Sequence, residues 1–194
     1  YCVLYGGVDY DGCIWVYREL YDSGYTAREV AIRIKEVEEE AEEDVHMGPA
    51  DTQIGAHEGT TGPTIEEEFA REGILWDKAD KARRTGWQQI HSRLLNRDHN
   101  EKTGQDVDKP MLMVSTACPN LIREIERAHQ DKVVPDQLSK TSSDHALDSL
   151  RYLVMARPFV PKRKSNRRIA RFDKYREKKK KGTWMSWCRE VVMF

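Results

Sequence analysis

The segment Ser142-Ser143-Asp144-His145-Ala146-Leu147-Asp148-Ser149-Leu150-Arg151-Tyr152-Leu153-Val154-Met155-Ala156-Arg157-Pro158 is the most informative in the chain. Leu147, Leu150 and Val154 recur at helical spacing, so it reads as a core helix. Ser142 or Ser143 would cap it, and it would run to about Ala156, ahead of Pro158. Residues three and four apart share a helix face, so Asp144, His145 and Asp148 point roughly one way while the apolar stripe anchors the helix. Carboxylates presented from a rigid element suit a metal site. An ordinary reading is also open: Asp144 as a helix-start residue and Asp148 as a salt-bridge partner of Arg151.

Working outward from this helix, Pro119 to Ala128 reads as another helix, with Leu121, Ile122 and Ile125 apolar, and Met111 to Val114 as a short strand. Asn96 to Lys109 is polar and loop-like. Trp87, Ile90, Leu94 and Leu95 mark an amphipathic helix, and Ile74-Leu75-Trp76 looks like a strand. Thr64 with Glu67 and Thr26 with Glu29 have capping-box spacing, each ahead of a helical pattern. Tyr1 to Val8 and Cys13 to Leu20 flank Asp9-Tyr10-Asp11-Gly12 and read as a β-hairpin, with the aspartates as turn formers or, less simply, as ligands. Strands first, then helices and strands in alternation, predict an α/β fold: a mixed sheet with helices on its faces.

The 194 residues suit one domain with a tail, here 1–158 followed by a basic segment over 159–194. The chain opens on an apolar run without a Met and reads as a piece of a longer protein. Net charge is −1, but acidic residues cluster over Glu36 to Asp44 and basic ones over Lys162 to Lys181, so local patches carry the meaning. No apolar stretch approaches the ~18 residues of a membrane span. Cys2, Cys13, Cys118 and Cys188 form no CxxC pair and read as reduced thiols of a cytosolic protein.

Asp51 is the second candidate site residue, because it lies where a short strand meets a Gly- and Thr-rich loop. A loop or cap role is its alternative. Glu19 is a weaker third. The chain contains no P-loop, no HExxH and no GxSxG, so nucleotide hydrolysis, zinc proteolysis and serine-type hydrolysis have no support. Lys78, Lys81, Arg83 and Arg84, and in the tail Lys162, Arg163, Lys164, Arg167 and Arg168, would neutralise the phosphates of a polyanion such as DNA.

The stretches VDYDGCIWVYRELY at 8–21, TAREVAIRIKE at 26–36, Asp51 with its loop, RTGWQQIHSRL at 84–94, CPNLIREI at 118–125 and SSDHALDSLRYLVMARP at 142–158 together resemble a known family. It is the C-terminal nuclease domain of large terminase subunits, the DNA-packaging motors of tailed bacteriophages. The DHxxDxxRY helix is the most specific part. The resemblance implies a ribonuclease H-like fold and a two-metal endonuclease using Mg²⁺ or Mn²⁺ on double-stranded concatemeric DNA. Asp51 and Asp148 match its second and third acidic ligands, and Asp144 and His145 match flanking positions. The first ligand is expected on a strand ahead of Tyr1, after an ATPase domain, so the sheet is expected to lack its first strand and the isolated chain to be marginally stable and inactive. Implied partners are DNA, the small terminase subunit and the portal, with no membrane, in the cytoplasm of an infected or lysogenic bacterium. Two alternatives stand beside this reading: a catalytically silent DNA-binding or motor-docking module, and a resolvase-like recombination nuclease of the same fold.

Overall fold

The structure is a computed structural model that describes residues 1–57, 62–100, 103–128, 144–158 and 188–193, the last group by its backbone alone. The chain opens on a hairpin of β1 (Cys2–Val8) and β2 (Ile14–Tyr21), paired antiparallel. Gly12 supplies the positive φ of its turn, at 85°. The Asp9 carboxylate accepts from the amides of Asp11 and Cys13 at 3.0 and 2.8 Å, so Asp9 is the turn former that its place before Gly12 predicts.

The elements that follow are α1 (Ala27–Glu40), β3 (His46–Ala50), α2 (Ile65–Arg71), the two-residue β4 (Asp77–Lys78) and α3 (Arg83–Leu94). After them come β5 (Arg97–Asn100), β6 (Gln105–Asp108), β7 (Leu112–Val114), α4 (Pro119–Arg127), α5 (His145–Ala156) and β8 (Cys188–Met193). Both expected capping boxes form, Thr26 with Glu29 on α1 and Thr64 with Glu67 on α2. The main sheet has six strands in the order β4-β3-β8-β1-β2-β7. β1 is antiparallel to β2 and β8, whereas β3 runs parallel to β8 and β4, and β7 parallel to β2.

The alternating side chains of β1 feed two cores. Cys2 and Leu4 pack with Ile90, Leu121, Leu147, Leu150 and Leu153 on one face; Val3 and Tyr5 pack with Val30, Ile34, Phe69 and Trp76 on the other. Helices α3, α4 and α5 therefore cover one face and α1 and α2 the opposite one, which is the expected mixed α/β architecture. Gly6 brings α5 close to β1: a Cβ there would meet Leu153 Cδ2 at 2.8 Å. Among the described residues no helix is long and apolar enough to cross a membrane.

Three elements differ from the sequence expectation. Ile74-Leu75-Trp76 is not a strand; pairing is confined to Asp77–Lys78, because Ile74 and Trp76 are committed to the α1–α2 core, with Trp76 edge-on to Phe69 at 5.7 Å. The polar segment after α3 is not a plain loop. It forms the β5–β6 hairpin, joined by cross-strand pairs Arg97–Asp108 and His99–Asp106, both at 2.8 Å. Every residue of its strands is exposed, so no apolar alternation marks it. Finally, Cys188–Met193, at the end of the segment read as a basic tail, forms the strand between β1 and β3. β8 thus lies beside β1 within the sheet, where the resemblance implies a missing first strand. Ser142 and Ser143, proposed caps of α5, lie outside the described residues.

Candidate functional site

Asp51 follows directly on β3, and its carboxylate accepts from the Gln53 amide at 2.8 Å, capping the short turn Thr52–Gly55. It is therefore a cap, as one sequence reading has it, but its other contacts go further. Lys81 Nζ donates to Oδ1 at 2.7 Å, and the Tyr152 hydroxyl donates to Oδ2 at 2.7 Å. Tyr152 lies one helical turn after Asp148 on α5, so this bond ties the end of β3 to the helix that carries the second candidate. Asp51 and Asp148 are 6% and 4% exposed.

The Asp148 carboxylate is also fully engaged. Arg151, three residues on and 1% exposed, donates Nε to Oδ1 at 2.9 Å and ion-pairs with the same oxygen through Nη2 at 2.9 Å. Arg83 reaches its other oxygen at 3.3 Å and Asp144 at 3.5 Å. The salt bridge to Arg151 that the spacing allows is therefore present. The Arg151 side chain reaches Asp148 past Gly86 of α3, where a Cβ would collide with Arg151 Cγ and Cδ.

Burial pushes the Asp51 carboxyl up, but the hydrogen bonds from Lys81, the Gln53 amide and Tyr152, with the Lys81 charge, outweigh it and hold it below its ordinary value. Burial, and then the bond it gives Asp51, push the Tyr152 hydroxyl up. Asp51 is thus held as an anion and Tyr152 as a neutral donor.

The sequence-predicted residues divide around this centre. Asp51, Asp148 and Asp144 are drawn together through Tyr152 and Arg83. His145 begins α5 and is exposed at the rim. Lys81 and Arg83, read as DNA contacts, are partly exposed but already ion-paired with the carboxylates. Lys78 and Arg84 are exposed nearby in the chain, and Lys162, Arg163, Lys164, Arg167 and Arg168 lie outside the described residues. Glu19 does not join the site: it accepts from the Asn120 and Leu121 amides at 2.7 and 2.9 Å and caps α4. Sequence reasoning missed Tyr152, Gly86 and the buried Glu124, which accepts from the Ala146 and Leu147 amides at 2.8 and 3.1 Å at the start of α5. Two signals mark Tyr152 in the sequence: its i, i+4 spacing from Asp148 and its place at the end of the DHxxDxxRY stretch.

The donor set is of the kind a hard divalent cation accepts: carboxylate oxygens, at the end of β3 and on α5. The number of donors is short. Among the described residues no group of three or more His, Cys, Asp or Glu is arranged to hold a metal ion. Register explains part of this. Met193 pairs with Ala50, so β8 approaches Asp51 through Val191, Val192 and Met193, whereas its acidic residue, Glu190, pairs with His46 at the other end of β3. Cys2 and Cys118 are buried, with thiols pushed up to about 12 chiefly by desolvation, which makes them poor nucleophiles.

No protein-family model, no curated protein and no solved structure matches this chain.

Proposed function

We propose that the chain is a metal-dependent endonuclease domain of the large terminase subunit kind, with a ribonuclease H-like fold, acting on the phosphodiesters of double-stranded viral DNA during packaging. The observation that carries this reading is the convergence of Asp51 and Asp148, far apart in sequence, into one buried centre joined by Tyr152. The sheet order lends support, since a strand antiparallel to β1 and parallel to β3 lies in its middle.

In this reading Asp51 and Asp148 hold Mg²⁺ or Mn²⁺, with Asp144 and His145 at the rim and the remaining ligand outside the described residues. When bound, such ions supply an activated water and stabilise the leaving oxygen. The chain's own residues do the rest. Tyr152 and the Gln53 amide orient the Asp51 carboxylate, and Arg151 orients that of Asp148. Lys81 and Arg83, each partly exposed and ion-paired with Asp51 and Asp148, are the cations that would contact DNA phosphates if a bound metal ion took their carboxylates. The small terminase subunit and the portal are the partners this reading brings with it, and an infected or lysogenic bacterium is the setting.

A second reading, a catalytically silent DNA-binding or motor-docking module, is favoured by one observation: both carboxylates are already neutralised by internal cations. Nicking of supercoiled plasmid in Mn²⁺ separates the two. The nuclease reading expects cleavage that chelator abolishes once the first acidic ligand is supplied by extending the chain upstream of Tyr1 by one β-hairpin. It also expects Asp51→Asn to lower cleavage by at least about 100-fold, since even an outer-shell partner is worth about 10–100-fold, with melting little changed. Salt-dependent plasmid binding without nicking, by this chain and by one extended upstream of Tyr1 alike, would establish the silent module instead.

A further inference from the structure

We propose that the outward row of α3, formed by Arg84, Gln88 and His91, is a track for the sugar-phosphate backbone of duplex DNA, leading away from the Asp51 and Asp148 centre. The proposal shares the nucleic-acid partner of the reading above but does not depend on cleavage. Positions 84, 88 and 91 are four and three apart, so they stand on one stripe of the helix, and all three residues are exposed. The opposite stripe, Gly86, Ile90 and Arg93, is buried. Gly86 against Arg151, and Ile90 in the core, fix which way the row faces.

The chemistry of this segment selects the partner. From Lys81 to Arg97 there is no Asp or Glu, in a chain that holds 33 of them, and the segment carries Lys81, Arg83, Arg84, Arg93 and Arg97. The helices on the other face of the sheet are the reverse: α1 ends in Glu38, Glu39 and Glu40, and the first turn of α2 holds Glu66, Glu67 and Glu68. α3 also starts against local rules. Arg83 and Arg84 put cations at the positive end of the helix dipole, and Ala82 provides no side-chain cap. Arg83 is accounted for by Asp144 and Asp148, whereas Arg84 stands on the outward row. Such conflicts between sequence and local structure are expected at functional positions. Asp80, just ahead of the helix, is turned to the Ala82 amide at 2.9 Å.

Donors of this set suit phosphate oxygens. Arginine supplies charge, and glutamine and histidine add hydrogen bonds; such contacts fix the position of a duplex without reading its sequence. From Arg84 to His91 the helix rises about 10 Å, close to three base-pair steps of about 3.4 Å each. Leu95, 74% exposed, continues the stripe with an apolar side chain and ends the row. Because Arg83 at the start of α3 bonds Asp148, a backbone lying on this row meets the carboxylate centre at its Arg84 end.

Added lysines test the track in the full chain. Gln88→Lys and His91→Lys each place one more cation on the row. Ile32→Lys, on α1 across the sheet where Ile32 is 41% exposed, raises the net charge in the same way and is the control. Fluorescence anisotropy of a short labelled duplex reads affinity between about 50 and about 200 mM salt. Each lysine on α3 should steepen the slope of log K against log salt by roughly 0.9, so that the fall in affinity across this range grows about 3.5-fold. The control should leave the slope unchanged. Gln88→Glu and His91→Glu should weaken binding at the low-salt end, and they carry the test if a lysine variant melts early. Equal slopes for the α3 and α1 variants would overturn the track, as would a parent chain that binds no duplex at about 50 mM salt. Nicking plays no part in this readout, so loss of the nuclease reading leaves the track standing, and equal slopes leave the nuclease reading standing.

Discussion

Gly86 inverts the usual rule for a glycine inside a helix. An Ala in its place would ordinarily stabilise α3 by about 1 kcal/mol through backbone entropy. Here the added Cβ would run into the Arg151 side chain, which is buried and cannot swing into solvent. Arg151 would shift and loosen its two bonds to Asp148. Gly86→Ala is therefore expected to destabilise the protein, by about 1–3 kcal/mol as other overpacked sites do, and a urea melt showing a gain would refute the account. The same pair limits what Asp148→Asn can teach. Removing that charge leaves a buried guanidinium uncompensated, so loss of activity in this variant would mix ligand loss with unfolding, and Asp51→Asn is the cleaner probe. Lys81 permits a test by acid. The Asp51 carboxyl is held below its ordinary value of 3.8 against burial, so its contribution to stability is complete above that pH and is lost as pH falls through the depressed folded value. Lys81→Met removes the largest of the lowering influences. The Asp51 carboxyl should then titrate at higher pH, and the acid-unfolding midpoint should rise; an unchanged midpoint would mean that the Lys81 bond, from a side chain 41% exposed, is screened to nothing.

At the scale of elements, two buried or half-buried carboxylates act as helix caps from a distance. Glu19 of β2 closes the start of α4, and Glu124 of α4 closes the start of α5 while accepting the Tyr21 hydroxyl at 2.9 Å. Glu124→Ala strips the Ala146 and Leu147 amides of their partner at the first turn of the helix that carries Asp148. Bonds to a charged group contribute about 1.5–3 kcal/mol, so the loss should be about 2–3 kcal/mol; it would appear as a lower urea midpoint with an unchanged slope. A midpoint within experimental error of the parent would show that water replaces the cap. This relay also marks the limit of what the sequence discloses. The hairpin, the capping boxes and the α5 stripe are legible because local periodicity and local caps determine them. Glu19 and Glu124 are not, because the amides they satisfy lie about one element away in space and far along the chain. The β5–β6 hairpin is illegible for a different reason: it buries nothing, so no alternation records it. Asp51 and Asp148 are legible as candidates, but their joint neutralisation by Lys81, Arg83 and Arg151 follows only from packing.

For the whole molecule, the question is where nucleic acid would sit on a chain of net charge −1. An overall attraction is absent, so affinity has to come from local groups of cations. The sequence reading names two such groups: Lys78 and Arg84 near the candidate site in the chain, and Lys162, Arg163, Lys164, Arg167 and Arg168 ahead of β8. Lys81 and Arg83 add to the first only after leaving their carboxylates. Removing the basic segment by truncation would confuse the test, because everything after it includes Cys188–Met193, the strand between β1 and β3. Substituting the five residues with Gln keeps that strand and changes only charge. If all five contact phosphates, the slope of log K against log salt should fall by up to ~4.5, at ~0.9 per contact on duplex DNA. Substituting Lys78 and Arg84 instead should lower it by at most ~1.8 on the same basis. Fluorescence anisotropy of a labelled duplex at several salt concentrations reads both, with thermal melting as the check that β8 remains seated. An unchanged slope in the five-residue variant would remove these five residues from the DNA interface.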